Sequence, residues 1–217
     1  MRLVLRIGGS VLVPSEIDED VIQTLVREIE KVKEENEVFV VVGGGRTARK
    51  YIQAAREYGV EESSLDLLGI LASRLNALLL VTCLEGAELV ENFHEVLHAK
   101  GLPVLGGTVP GQTTDTVAAL LADLVRADLL VKITNVDGIY TSDPKADPDA
   151  KKISRMNFKN LKKLCGKEFE AGISSVIDPV AAEIIAQKKL TVFVIGREDM
   201  EDLVRVIAGD HSGTVIK

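Results

Sequence analysis

Glycine clusters placed directly after apolar runs are the first points in this chain where residue type and spacing could do chemistry. Residues 38–49 read VFVVVGGGRTAR: five apolar residues run into Gly43-Gly44-Gly45, and a helical pattern over residues 45–58 begins at once. Glycine lets the backbone turn tightly and present its N–H groups with no Cβ in the way. The helix that follows aims its positive end at the same spot. This is the build of an anion site, although a tight strand-to-helix turn with no ligand uses the same residues. The pattern recurs at Gly8-Gly9-Ser10 after the apolar run of residues 2–7, with a hydroxyl added by Ser10. Neither turn is a Walker P-loop or a dinucleotide fingerprint, because G-x-x-x-x-G-K-[ST] and G-x-G-x-x-G are both missing.

A third polar concentration spans residues 106–115, GGTVPGQTTD, just before the helical pattern TVAALLADLVRAD. Thr114 or Asp115 would cap that helix; the remaining hydroxyls, the Gln112 amide and the glycines suit an anionic ligand at a helix N-terminus. Lys132 lies near the end of the next apolar run, LLVKIT. In the long helical stretch of residues 63–83, Asp66, Gly69, Ser73 and Asn76 fall on one narrow stripe at 100° per residue. That stripe is either a satisfied interior seam or the wall of a site. His94 to His98 spells H-E-x-x-H, the helix motif of zinc proteases, but it precedes a new strand too closely for more than a short exposed helix. A solvated helix with no metal is therefore expected.

The elements that must position these residues follow from periodicity. The glycine turns end apolar runs with no polar alternation, as strands of a parallel sheet do when both faces are buried. Residues 18–35 carry Val21, Ile22, Leu25, Val26, Ile29 and Val32 at three- and four-residue steps, an amphipathic helix that Asn36 would stop. Strands are expected at residues 102–105, 129–134 and 191–195, and helices at 157–165, 178–188 and 200–208. Asp-Gly and the repeated Asp-Pro of residues 137–148 are turn chemistry, without the alternating acidic spacing of a calcium loop. The 217 residues, 46% apolar, fit one large α/β domain. No apolar run approaches the roughly 18 residues of a membrane span, and the N-terminus is too short for a signal peptide. A net charge of −7 argues against nucleic acid as a partner. Cys83 and Cys165, far apart with no C-x-x-C, read as reduced thiols in a cytoplasmic protein.

The segments RIGGS, VVVGGGRTARKY, GGTVPGQTTDTVAALLA and KITNVDGIYTSDPKADPDAK, in this order and spacing, resemble the amino-acid kinase superfamily. Within it they are most similar to the uridylate (UMP) kinases, and to the archaeal branch more than the bacterial. The resemblance runs over nearly the whole chain, to the terminal DHSGTVI. It implies a three-layer α/β/α sandwich with a mainly parallel central sheet, residues 1–217 forming one domain. The N-terminal half would mainly hold the phosphate acceptor and the C-terminal half mainly ATP. The implied reaction moves the ATP γ-phosphoryl group to UMP, giving UDP and ADP, with Mg²⁺ accompanying ATP.

Carried over residue by residue, the resemblance implies that Gly9 and Ser10 hold the transferring phosphoryl group. Gly44 would face UMP and Gly45 ATP, with Arg49 reaching phosphate from the helix above. Asp66 would take the UMP ribose hydroxyls, and Thr108, Val109, Pro110, Gly111, Gln112, Thr113 and Thr114 would wrap its phosphate and base. Asp115 resembles the organising aspartate of the family, while Thr134, Asn135, Tyr140 and Asp143 would bind the adenine and ribose of ATP. Bacterial relatives carry lysines where this chain has Arg6 and Asn135, so the electrophilic role falls to Arg49 and Lys132, with Ser10 and Asp115 completing the catalytic set. Isopentenyl phosphate kinase, acetylglutamate kinase and a non-catalytic storage protein of the same fold are the alternatives. The apolar circumference of the 63–83 helix points to a homo-oligomer, which the resemblance extends to a hexamer built as a trimer of dimers.

Overall fold

The computed structural model describes residues 1–144, 146–165 and 176–217 of the chain; Lys145 of the Asp-Pro loop lies outside them. In chain order the elements are β1 (Arg2–Ile7), α1 (Gly9–Leu12), α2 (Glu19–Lys33), β2 (Glu37–Val42), α3 (Gly45–Arg56), α4 (Glu62–Val81), β3 (Ala87–Val90), α5 (Phe93–Val96) and β4 (Leu102–Leu105). They continue with α6 (Thr114–Leu124), β5 (Leu129–Ile133), β6 (Ile139–Tyr140), β7 (Lys152–Ile153), β8 (Arg155–Met156), α7 (Phe158–Cys165), α8 (Pro179–Lys188) and β9 (Val192–Ile195). A 3₁₀ turn (Asp199–Asp202), α9 (Leu203–Ile207) and β10 (Thr214–Ile216) end the chain.

Eight strands form one sheet in the order β3-β4-β2-β1-β5-β9-β10-β8. The first six are parallel; β10 runs antiparallel to β9. The expected burial on both faces is present and follows the period of two. Leu3, Leu5 and Ile7 of β1, with Val38, Val40 and Val42 of β2, join the core under α2, α4 and α9. Val4, Phe39 and Val41 join the opposite core under α6, α7 and α8. This is the α/β/α sandwich.

Strand ends align: Ile7 pairs with Val42 and with Ile133, and Ile133 pairs with Ile195. Every parallel strand of the centre therefore delivers its outgoing loop to one edge. From there β1 leads to α1 and α2 on one face, whereas its neighbour β5 leads to α7 and α8 on the other. Where neighbouring connections part in this way, a crevice opens beyond the carboxyl ends, the usual ligand position of an open α/β sheet.

Local chemistry sets the helix ends. Asp18 caps α2 by accepting from Val21 N (3.2 Å), and Asn36 closes it by donating Nδ2 to the Val32 carbonyl (2.8 Å). The α6 cap differs from expectation: Thr113 holds it, its hydroxyl accepting from Thr116 N at 3.1 Å. Thr114 and Asp115 are thereby the first two residues of the helix. The short elements α1, β3, β8 and β10 have no sequence period of their own, being too brief for one to show. By length and mean hydropathy (1.6) α4 would pass for a membrane span, contrary to the expectation that no segment would. Its Leu65, Ile70, Ala72, Ala77 and Leu80 are instead buried within the fold.

The turns after β1 and β2 touch backbone to backbone. A Cβ on Gly9 would overlap the Gly43 carbonyl and the Gly45 nitrogen, and one on Gly45 would stand 2.5 Å from Ser10 N and 2.7 Å from the Gly9 oxygen. Gly45 also has φ +58°. Gly45→Ala should therefore lower the unfolding free energy by roughly 2–3 kcal/mol, from left-handed strain and displaced backbone together. Urea unfolding checks this; a loss under about 0.5 kcal/mol would mean that the two turns separate freely.

Candidate active site

The charged centre of the molecule comes from register. Arg6 of β1 and Lys132 of β5 are paired positions, each on the side of its strand that faces α6. An apolar residue would be ordinary at either place. Two cations side by side under a helix need a counter-charge, and the first turn of α6 supplies it in Asp115. Lys132 Nζ donates to Asp115 Oδ2, while Arg6 Nε lies 2.6 Å from Asp115 Oδ1 in a charge contact without hydrogen-bond alignment. Arg6 Nη2 also donates to Thr114 Oγ1 at 2.8 Å. All three ionic side chains are 14% exposed or less.

Burial opposes all of these charges, and neighbours decide the outcome. Burial alone would raise the Asp115 carboxyl; the Arg6 and Lys132 charges outweigh it and hold the group below its ordinary value. Burial pushes the Lys132 ammonium down to about 8, against the pull of Asp115 and with the push of Arg6.

The glycine turns lie beside this cluster. A Cβ on Gly43 would be 3.2 Å from Arg6 Nη2 and 3.4 Å from Thr114 Oγ1. Arg49, one turn into α3, donates Nη2 to Ser10 Oγ at 2.8 Å, and Asn135 donates Nδ2 to the Ser10 carbonyl at 3.1 Å. Gly9, Ser10, Gly44, Gly45, Arg49, Asn135, Thr114, Asp115 and Lys132 are therefore gathered at one edge of the sheet. The leading N–H groups of α3 and α6, which have no partner inside their helices, open at the same edge. Such an arrangement holds an anion with several negative oxygens.

The polar stripe of α4 is both seam and wall. Asn76 Nδ2 donates to the carbonyls of Gly43 (2.9 Å) and Gly44 (3.3 Å). Ser73 Oγ accepts from Gly107 N at 2.7 Å and donates to the Ile70 carbonyl. The first fixes the turn after β2 and the second the loop after β4. Gly69 contributes its carbonyl to the close approach of α4 to Gly44. Only Asp66 reaches the rim, where its Oδ2 accepts from Gly111 N at 2.7 Å. Across the same loop Thr108 donates to Gln112 Oε1 at 3.0 Å, while Val109 and Pro110 stand in solvent.

On the β5 side, Thr134 N continues the ladder to the Ile195 carbonyl at 3.0 Å. Tyr140 is turned to its own hairpin, its hydroxyl donating to Asp137 Oδ1 at 2.7 Å. The Asp143 carbonyl accepts from Ala146 N and Asp147 N and shapes the following turn. His94 and His98 behave as a solvated short helix: α5 ends at Val96, and His98 Nδ1 lies 2.8 Å from the His94 carbonyl.

Sequence reading passed over Asp178, which accepts from Thr113 Oγ1 at 2.6 Å and from Thr116 Oγ1 at 3.1 Å. Its only local signal is the Asp-Pro start of a helix, which says nothing of α6. Asn76 and Ser73 were visible as a stripe, but not what they would hold.

With this geometry in hand, comparison with known proteins is direct. The profile of the Amino acid kinase family matches residues 1–196. Proteins named uridylate kinase match over the whole chain and their own full length, at 48% identity in Thermococcus kodakarensis and 45% in Methanocaldococcus jannaschii. The crystal structure of uridylate kinase from Archaeoglobus fulgidus superposes with a TM-score of 0.86 at 40% identity, each chain covered completely.

Folding holds the Asp115 carboxyl below its unfolded value, so its contribution is complete above about pH 4 and is lost as pH falls through the folded value. Asp115→Asn removes the counter-charge from two buried cations and should cost roughly 3–5 kcal/mol of stability at pH 7. The variant also loses this part of the acid dependence. Denaturant titrations at pH 7 and at steps below about pH 4 measure both effects; a variant as stable as wild type at neutral pH would show that Arg6 and Lys132 do not need the carboxylate.

Proposed function

The chain belongs to the amino acid kinase family, and we infer that it is a UMP kinase, transferring the γ-phosphoryl group of ATP to UMP to give UDP and ADP. The observation that carries this reading is the full-length match to uridylate kinases. The geometry supports it: Arg6, Lys132 and Arg49 converge with two glycine turns at the carboxyl edge of the sheet. The alternatives within the fold are not favoured, since these relatives match from end to end.

The chemistry asks little covalent work of the protein. A UMP phosphate oxygen attacks the γ-phosphorus in line, and the bridging oxygen leaves with its electron pair on ADP. The protein must align the two nucleotides and neutralise oxygens whose charge shifts during transfer. Gly9, Ser10, Gly45 and Arg49 surround the γ-phosphoryl group in this reading, with ATP reaching over Thr134, Asn135, Tyr140 and Asp143. UMP lies across Gly44, Asp66 and residues 108–114. Lys132 and Arg6, fixed by Asp115, supply positive charge beside the transferring group. Mg²⁺, when bound, neutralises phosphate charge; it needs one or two carboxylates at most. Asp115 is already engaged by Arg6 and Lys132, so the ATP phosphates and water are the ligands that fit it. The enzyme is placed in the cytoplasm, where both nucleotides are found.

Assembly is proposed on a separate observation. Leu67, Leu71, Leu75 and Leu78 of α4 are 43–61% exposed and lie along one side of the helix. A second copy of the same helix covers such a stripe across a two-fold axis, as the first contact of a trimer of dimers. Leu71→Glu combined with Leu75→Glu is expected to reduce the particle mass by light scattering at micromolar concentration; wild-type protein running as a monomer would contradict the proposal.

Asp66 tests the acceptor site. Its Oδ2 holds Gly111 N, and Oδ1 is left for the ribose hydroxyls. Asp66→Ala should reduce kcat/KM for UMP by about 10- to 150-fold, the value of a charged hydrogen bond of roughly 1.5–3 kcal/mol. Most of the loss should appear as a raised KM for UMP, with KM for ATP little changed. Equal damage toward both nucleotides, together with a lower melting temperature, would make Asp66 a loop anchor only.

A further inference from the structure

Asp178 makes more contacts than a helix cap requires. Its Oδ1 accepts from Val180 N (2.9 Å) and Ala181 N (3.0 Å), which is enough to cap α8. The same carboxylate takes the hydroxyls of Thr113 and Thr116 from the head of another helix. Thr113 is itself the cap of α6. One carboxylate therefore joins the N-termini of α6 and α8 directly above the buried ion cluster.

We propose that Asp178 is a positioning residue for phosphoryl transfer: acting through Thr113 and Thr116, it fixes the start of α6, and Asp115 with it, over β1 and β5. The inference rests on the kinase reading above. Lys132 is faced by Asp115 from α6, Arg6 from β1 and Asp178 from the head of α8. Burial and then Arg6 drive its proton off, and the two carboxylates hold it on. Without Asp178, Lys132 should lose its charge at lower pH, and Asp115 should lose its seating.

UDP formation measured chromatographically from about pH 6 to 9.5 on wild type, Asp178→Asn and Asp178→Ser tests this. Asn and Ser are both good helix caps, so α8 keeps its start while the charge is lost. Expected for both variants is a fall in kcat of about tenfold or more, larger than any change in KM for UMP. The alkaline limb of kcat should move to lower pH, with α8 still capped and the fold retained. Thr116→Val, which removes one clasping hydroxyl, should show a smaller loss of kcat. Variants with a wild-type alkaline limb overturn the proposal, whether their melting temperature is normal or lowered; so does a Thr116→Val enzyme with wild-type kcat. A wild-type protein that forms no UDP from UMP and ATP overturns the functional reading itself.

Discussion

Arg6 and Lys132 are neighbours because β1 and β5 pair in one register and no other. Like charges at adjacent positions of a parallel pair repel, and both are buried under α6. The sheet tolerates them only because one residue in the first turn of that helix is an aspartate. Slipping either strand by one residue would turn a cation into the opposite apolar layer and leave Asp115 with half its partners. The ion cluster is thus less a source of stability than a condition the fold must satisfy. Once satisfied, it leaves positive charge held rigidly at the edge where phosphates arrive.

The glycine turns impose the second condition. Gly9 and Gly45 are in each other's space, so the loops leaving β1 and β2 can have no side chain between them. Part of what looks like ligand-friendly backbone is therefore turn packed on turn. The two roles agree, because the contact that excludes Cβ atoms also brings the helix behind each turn to a common point. Asn76 then holds the Gly43 and Gly44 carbonyls from behind, so hydrogen bonds of the chain itself shape the cradle.

How much of this was legible in the sequence depends on the range of the signal. Strands such as those at residues 38–42 and Leu102–Leu105 announce themselves by uninterrupted apolar runs, and α2 by its period. The glycine turns, the 106–114 loop, Asp66 and Asp115 stand out by composition. Pairings across the fold leave no such trace. Nothing near Lys132 in sequence names Arg6 as its neighbour, and nothing near Asp178 names Thr113. The cap of α6 falls one or two residues before the expected Thr114 or Asp115 because Thr113, Thr114 and Asp115 are all good caps, and the choice is made by where Asp115 must reach. The Tyr140 hydroxyl closes on Asp137 three residues earlier, a contact that Asp-Gly turn chemistry does not reveal.

Helix α4 carries a different demand on almost every side. One side enters the apolar interior through Leu65, Ala77 and Leu80, another grips the glycine turns through Ser73 and Asn76, and a third presents its leucines to solvent. Few positions along its middle are free to drift without disturbing something else. Substitutions in this helix should accordingly be tolerated best at its ends, near Glu61–Ser64 and Thr82–Cys83, where the side chains are exposed.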